Sequence, residues 1–582
     1  MSTIEEKRHS LAHLLAAAVL KLYSDTKPTL GPAIDNGFYY DFEFNSPIGD
    51  ADLPKIEKKM KEILPTWEKF EGHEIKQEEA EELFKNNPYK LEMVREIAEK
   101  GEPLTVYTSG QFTDLCRGGH VKDMREIEDD SWKLSRVAGA YWRGDEKNKM
   151  LTRIYGLAFD TKEELEKYEA QQEEAKKRDH KKLGKELGLF VFSETVGKGL
   201  PLWLPKGATV RRELERFIID EEIKRGYLHV RTPDIAKLDL YKKSGHYPHY
   251  KDSMYAPIKI DDEEFMLRPM TCPHHFELYL SSPKSFRDLP MRIAELAQQY
   301  RYEQSGELMG LQRVRTFCLA DAHIICADDE QAINEIGGAL DLIEYVAKTF
   351  GLEQGKDYSY RLSLGNCTNE EKYYKNDAAW NKAEKLLREL LKQRNSSFIE
   401  AEDEAAFYGP KIDIQMKNAQ GKEDTAFTVQ YDFCMPERFN LTYTGKDGKE
   451  HLTIVVHRSS IGAIERIMAF LIEHYAGAFP LWLSPVQIKI LPVGEKQNEY
   501  AKGVYEKLKA KNIRVELDDS NETLGKKIRN FKSEKVPYAV VVGEKEVKGE
   551  NITLESRNEG SLGQILIEKL IEKLEKEIAS RS

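Results

Sequence analysis

Cysteine is scarce. The 582-residue chain has six, Cys116, Cys272, Cys318, Cys326, Cys367 and Cys434, at irregular spacings. That pattern argues against a disulfide framework and points to a reducing, cytoplasmic setting. Long apolar runs are also missing. The stretch from Leu11 to Tyr23 is interrupted by His13 and Lys21 and is too short to span a bilayer, and no other stretch is apolar enough. The N-terminus carries no secretory signal. A basic excess is absent too: the formal net charge is −12. This argues against general electrostatic attraction to nucleic acid, although a local basic surface remains compatible with it. No internal repeat or low-complexity tract is present.

What is there is ordinary for a globular protein, 40% hydrophobic and 32% charged. The length suits about three or four domains. Residues 1–160 mix helical and strand-like patterns around the turns Gly31-Pro32 and Arg117-Gly-Gly119. Thr161 to Lys185 is rich in Glu, Lys, Gln and Ala. It reads as an exposed connecting helix without chemistry, so residues 161–188 form a linker. Residues 189–482 form the largest unit. Strands are expected at Phe265–Leu267, Arg313–Leu319, Phe427–Phe433 and Leu452–His457, and helices at Arg211–Arg225 and Gly462–Tyr475. Short loops between strands favour a mainly antiparallel sheet flanked by helices. Residues 483–582 alternate strands (Val486–Leu491, Ile513–Leu517, Ala539–Val542) with helices (Gln497–Lys511, Thr523–Lys532, Gly563–Glu577), a small α/β domain. The expected class is α+β, multidomain.

Three distant segments end on a zinc-type ligand: Arg268–Cys272, Cys318–His323 and Thr453–His457. One Cys and two His leave the fourth position of a zinc ion open to a small molecule. The alternative is that each is an ordinary core residue. Arg301-Tyr-Glu303, a loop with Gly306 and Gly310, and Arg313-Val-Arg315-Thr-Phe317 read as a hairpin. Residues two apart on a strand share a face. Arginines there can hold phosphates, Glu303 can accept from an exocyclic amine, and Phe317 can stack on a base. A surface hairpin with cross-strand ion pairs is the alternative.

That hairpin resembles the second signature motif of class II aminoacyl-tRNA synthetases. Ile461-Gly-Ala-Ile-Glu-Arg466 resembles the third, and Arg225-Gly to Thr232-Pro233 the first, which in the family builds a dimer interface. With the ligand set and flanking domains, the chain is similar to the threonyl-tRNA synthetase family over nearly its whole length. Many members begin with an additional β-rich domain, and this chain starts after it. The resemblance implies that residues 189–482 are the class II catalytic domain. There Arg301 binds the α-phosphate, Glu303 contacts the adenine amine, Phe317 packs on the ring, and Arg313 and Arg466 hold the outer phosphates. It implies Mg²⁺ with ATP, and one Zn²⁺ per subunit on Cys272, His323 and His457. Asp321 then accepts from the threonine hydroxyl, Tyr408, Gln430 and Asp432 line the pocket, and Lys411 positions substrates. Arg301, Arg466 and Lys411 make up its catalytic set.

A metal with an open position selects a β-hydroxyl and rejects valine by ~10⁴ or more, but one methyl discriminates serine by only ~1–3 kcal/mol. A second, hydrolytic site is therefore expected. His9-Ser-Leu-Ala-His13 puts two imidazoles on one helical face, and Cys116-Arg-Gly-Gly-His120 follows later. Together they resemble the editing domain shared by threonyl- and alanyl-tRNA synthetases, expected at 1–160, with Tyr40, Lys90 and Asp114 as further positions. The expected chemistry is hydrolysis of the seryl ester of the tRNA, an imidazole or Lys90 positioning or activating water. The quartet also suits zinc, whereas the resemblance implies a metal-free site.

Residues 483–582 resemble the anticodon-binding domain of this subgroup. Lys526, Lys527, Arg529 and Lys532 suit phosphate contacts or simply a solvated helix face. Glu546 matches a base-reading position. Glu555 stands where the family has Arg, which shifts base reading to Arg557 or weakens it. His274 replaces a usual Gly, and Leu319 and Thr425 stand where Gln is common. The expected activity is ATP-dependent activation of L-threonine and its transfer to tRNA(Thr), with editing of seryl-tRNA(Thr), by a cytoplasmic homodimer. The competing readings are an RNA-binding paralogue, a hydrolase of misacylated tRNA, and a class II enzyme for another amino acid.

Overall fold

The computed structural model describes residues 2–366 and 368–581. Cys367 lies outside the described residues, and the other five cysteines are free. The chain divides into two units, Met1–Glu173 and Glu174–Ser582.

In the first unit, helix Ile4–Leu22 starts at a capping box in which Thr3 and Glu6 satisfy each other's backbone N–H groups. Its run of Leu and Ala is strongly helix-forming. Ser10 to Val19 are buried, and Leu11, Leu14 and Leu15 share a core with Phe38, Tyr40 and Phe42. These aromatics belong to strand Gly37–Glu43 of a five-stranded sheet with Met150–Ala158 and Trp132–Tyr141. A second, three-stranded sheet (Glu71–Glu74, Thr105–Ser109, Phe112–Leu115) brings the segment 114–120 up to that helix.

The second unit is built on an eight-stranded sheet. Its order is Leu228–His229, Met291–Tyr300, Thr316–Cys326, Ile454–Ala463, Glu423–Asp432, Lys411–Lys417, Tyr358–Ser363, Phe398–Ala401. All pairings are antiparallel except the two at the edges, as the short connections imply. Its face packs on helices including Pro205–Lys224, Asp329–Thr349 and Ile464–His474. The register sets His323 directly across from His457, and His457 across from Gln430. Toward the C-terminus, Ile488–Pro492, Val515–Leu517 and Tyr538–Val542 pair in parallel, and Ile552–Ser556 and Gly560–Ile565 extend the sheet antiparallel.

Two expectations need correction. The strand expected at Arg313–Leu319 begins only at Thr316, and its partner ends at Tyr300. Arg301, Glu303, Arg313 and Arg315 therefore lie in the irregular loop, not on a shared strand face. Consecutive turns (Gln312 N–H to Met309 O, 2.9 Å) and Gly310 at φ +54° break the ladder there. The connecting helix is also not continuous. Helix Lys162–Arg178 stops, and Asp179 caps a second helix, His180–Glu186, by accepting from Lys181 and Lys182 N–H. His180, Leu183 and Gly184 on it are buried. Among the described residues no helix is long and apolar enough to cross a membrane.

Candidate functional site

Cys272 is the first residue of helix Cys272–Leu280, and His323 and His457 face each other on neighbouring central strands. Ligand atoms of the three lie within 4.8 Å of one another, and all three residues are buried. Each imidazole has one nitrogen engaged by a neighbour. His323 Nδ1 is 2.8 Å from His275 Nδ1, and His457 Nε2 is 2.7 Å from Asp432 Oδ2. The opposite nitrogen of each ring is the donor left over. Burial holds His323 well below its usual pKa, followed by repulsion from His457 and His275. A neutral imidazole is the form that ligates. Burial also pushes the Cys272 thiol up, with Asp321 and Asp432 adding to the effect. A cation between these donors reverses that preference, because thiolate then has a counter-charge. The donor set and its engaged outer partners fit a zinc-type ion.

Around this centre, Tyr408 stacks on His457 with ring centroids 4.8 Å apart and donates to Gln430 Oε1 at 2.5 Å. Burial raises the Asp321 carboxyl above its ordinary range. Gln299 Nε2 lies 3.0 Å from Thr271 Oγ1 and 3.5 Å from Asp321 Oδ2. Lys411 donates to Asp413 at 2.7 Å. His246 Nε2 stands 3.8 Å from Cys272 Sγ, its ring kept neutral by burial, which lowers its pKa to about 3.

The sequence reading assigned no role to His275, Glu295, Gln299 or His246. His275 Nε2 lies 3.3 Å from Glu295 Oε2. Glu295 is in turn held by Thr232 N–H (3.1 Å), Thr232 Oγ1 (2.7 Å) and Arg268 (3.3 Å). The double His in Cys272-Pro-His274-His275 was the available signal. His274 itself is buried with both ring nitrogens unpartnered. Nothing in the structure explains it.

The same sheet also borders a cavity of about 350 Å³, lined by Arg313, Gln312, Arg361, Gln415, Thr425 and Arg466 among others. Arg466 donates to Gln312 O at 3.1 Å and to Thr425 O at 2.9 Å, and Gln415 donates to Thr425 Oγ1 at 2.7 Å. Thr425 thus anchors the motif arginine through its carbonyl. Arg301 sits over Phe317, 5.1 Å from the ring centroid, and donates to Gln299 Oε1 at 3.3 Å. Glu303 is half-buried, and its carbonyl accepts from Arg315 at 3.0 Å. Leu319 pairs with Ala463 in the central ladder.

The first unit holds a second cluster. His9, His13, Cys116 and His120 bring ligand atoms within 4.8 Å of one another. Cys116 Sγ lies 3.3 Å from His120 Nε2, 3.5 Å from His9 Nε2 and 3.3 Å from Gly118 N. Burial raises the thiol, but hydrogen bonds from His120, His13 and His9 outweigh this and bring it down to about 3. His13 Nδ1 is 3.2 Å from Asp114 Oδ2. Burial lowers the ring, but Asp114 and Cys116 outweigh it and raise the pKa to about 9. Asp114 also takes Lys90 Nζ and Tyr40 OH, each at 2.5 Å. His9, His13, Cys116, Asp114, Lys90 and Tyr40 line a cavity of about 480 Å³ that includes Arg117, Trp142 and Arg143, with His120 behind Cys116. A thiolate among imidazoles, with a buried carboxylate and ammonium behind them, can bind a polar substrate and hold a water for attack on an ester.

Near the C-terminus the expected base and phosphate contacts fare unevenly. Arg557 cannot take over base reading in this conformation, because its guanidinium is held by Phe479 O (3.3 Å) and Lys535 O (2.5 Å). Lys527 is buried on Pro492 O and Asp518 O at 3.0 and 2.8 Å, and Lys526 pairs with Glu522. Glu546 accepts from Gly543 N–H and Thr553 Oγ1, both at 2.8 Å. Glu555 lies on strand Ile552–Ser556.

Family models match all three regions. Residues 104–155 match the threonyl and alanyl tRNA synthetase second additional domain. Residues 255–475 match the class II tRNA synthetase core domain for G, H, P, S and T, and residues 487–577 an anticodon binding domain. The chain is 49% identical over 568 residues to a threonine–tRNA ligase of Staphylococcus carnosus, covering 97% of this chain and 86% of that protein. It is 50% identical over 543 residues to one of Geobacillus kaustophilus, covering 93% and 82%. Among solved structures it is similar to the RNA binding domain of threonyl-tRNA synthetase from Cryptosporidium parvum, with a TM-score of 0.65, 35% identity, and coverage of 68% of this chain and 98% of that one. Metal-type triad, arginine-lined cavity and second hydrolytic-type cluster thus stand in a chain whose sequence belongs to the threonine–tRNA ligase family, with a class II synthetase core.

Proposed function

We propose that this enzyme, a threonine–tRNA ligase by family, selects its amino acid on a zinc ion held by Cys272, His323 and His457. The observation that carries the reading is the convergence of these three buried donors on the sheet that also borders an arginine-lined cavity. When bound, zinc would supply a Lewis acid with an open position for the amine and hydroxyl of threonine. Asp321, next to it, accepts from the hydroxyl. Tyr408, Gln430 and Asp432 shape the pocket. Arg301 binds the α-phosphate of ATP, and Arg313 and Arg466 the outer phosphates, with Mg²⁺. Phe317 and Glu303 take the adenine. Positive charge fixed around the phosphorus favours the transition state as negative charge builds there. Lys411, paired with Asp413, serves as a positioning group. The enzyme works in the cytoplasm as a homodimer. Sedimentation at micromolar concentration then gives about twice the 67.1 kDa chain mass.

We assign the N-terminal cluster to hydrolysis of seryl-tRNA, without a metal. Asp114 holds His13 protonated and Lys90 in place, Cys116 keeps His9 and His120 in a fixed array, and the imidazoles position the water. Amino-acid-dependent ATP–pyrophosphate exchange across all twenty amino acids tests the synthetic reading. Threonine should dominate, serine should show weak exchange, and valine none. A different preferred amino acid rejects it.

The outer neighbours of the metal set give a quieter prediction. His275→Ala removes the group that fixes the His323 ring, and the affinity for zinc should fall about 10–100-fold. Competition with a chromophoric chelator measures this directly. Unchanged zinc retention would show that His275 is only core packing.

A further inference from the structure

His180 is buried where a solvated linker was expected, with 3% of its surface exposed. Its Nδ1 lies 2.7 Å from Glu473 Oε1, and its Nε2 takes the backbone N–H of Leu311 at 3.1 Å. A backbone N–H only donates, so Nε2 must be unprotonated. Nδ1 then carries the proton and donates it to Glu473. The geometry thus selects one neutral tautomer.

Neither partner lines the arginine-lined cavity itself, but each belongs to a segment that does. Leu311 immediately precedes Gln312 and Arg313, which line it. Glu473 is in the last turn of helix Ile464–His474, whose first turn carries Arg466. Arg466 itself donates to Gln312 O at 3.1 Å. The loop is therefore tied to this helix twice, at its start through Arg466 and at its end through His180. Gly310 shows how close the loop passes. It has φ +54°, and a Cβ there would stand 2.2 Å from His180 Nε2. Only glycine accommodates both the conformation and the approach. Leu311 is fully buried in the main core, so its N–H depends on the acceptor that His180 supplies.

We propose that His180 is a positioning residue for ATP binding. It holds the segment 309–313 so that Arg313 and Arg466 face one cavity. The inference rests on the ATP reading of that cavity. It also gives the helix His180–Glu186 a role in the chemistry, acting through the loop rather than by touching substrate.

Two substitutions separate the acceptor from the rest of the ring. In His180→Gln the amide oxygen reaches the place of Nε2 and can still accept from Leu311. In His180→Asn the shorter side chain can still meet Glu473 but cannot reach Leu311. Pyrophosphate exchange with the full-length enzyme should show KM for ATP raised about 10-fold in His180→Asn, the order expected for one lost hydrogen bond to a buried N–H. KM for threonine should stay within about twofold, since only the loop's hydrogen bond is lost. His180→Gln should keep both within about threefold, its acceptor being retained. Amide hydrogen exchange over residues 305–316 should be faster in His180→Asn and native in His180→Gln. Wild-type KM for ATP and wild-type protection in His180→Asn overturn the proposal. So does an equal loss in both variants with the two KM values moving together, which marks general destabilisation. If the wild-type enzyme shows no threonine-dependent exchange, the ATP reading fails by itself, and amide protection of the loop still decides whether His180 holds it.

Discussion

Cys272→Ala is expected to lower threonine-dependent pyrophosphate exchange by about 10³-fold or more, together with loss of bound zinc. The magnitude follows from what the metal does. A site that recognises one hydroxyl discriminates by ~10⁴ against its absence, and losing the recognising group gives up most of that. Cys272 is the only thiol in the triad, and burial keeps it a poor anion without a cation beside it. Its removal leaves two imidazoles and no anionic donor, a weak site for zinc. Cys326→Ala is the matched control, equally buried but on the core side of its strand. Measuring zinc content and exchange on the same preparations decides the matter. Full exchange in Cys272→Ala would leave the triad without a catalytic purpose. A loss in Cys326→Ala as large would reduce the effect to packing.

His13→Ala should slow deacylation of seryl-tRNA by about 10²–10⁴-fold, the range for a lost proton-handling group, while threonine activation is unaffected. His13 stands between Asp114 and His9, 3.2 Å from each, so its removal leaves a buried carboxylate with one partner fewer. Asp114→Asn should act in the same direction, since it removes the charge that holds both His13 and Lys90. The pH dependence has a definite sign. The folded-state pKa of His13 is raised to about 9, so the ring keeps its proton from below 6.5 up to that value and loses it above. Cys116, lowered to about 3, stays a thiolate throughout. Deacylation should therefore be level between about pH 6.5 and 8.5 and decline beyond 9. Clearance of seryl-tRNA at the wild-type rate in His13→Ala would remove the site from editing. A rate that falls between pH 6 and 7 instead would mean that an unpaired imidazole does the work.

Spacing and residue type made much of this molecule legible. Two imidazoles four residues apart had to share a helical face. Alternating apolar residues marked the central strands within a few positions. The triad donors stood out because Cys and His are rare and chemically specific. Misjudged features were those where a local pattern met a tertiary demand. The charged run around Asp179 looked solvated throughout, yet His180 is drawn inward by Glu473 and Leu311, residues 293 and 131 positions away. Arg313 and Arg315 alternated like strand residues, but the turns before them end the ladder. Arg557 and Lys527 looked like free cations, and backbone carbonyls hold both.

The sequence by itself determined which chemistry the chain can carry, because thiol, imidazole, guanidinium and carboxylate are properties of residues. It also set the order of domains through shifts in periodicity. Only the tertiary structure decided which of these groups meet. The sheet register set His323 opposite His457, and the remaining contacts chose His275 and Glu295 as the partners behind them. Hydrogen bonds act over about 3 Å, whereas sequence separation says nothing about distance once the chain has crossed a sheet, so such partnerships exist only in the folded state.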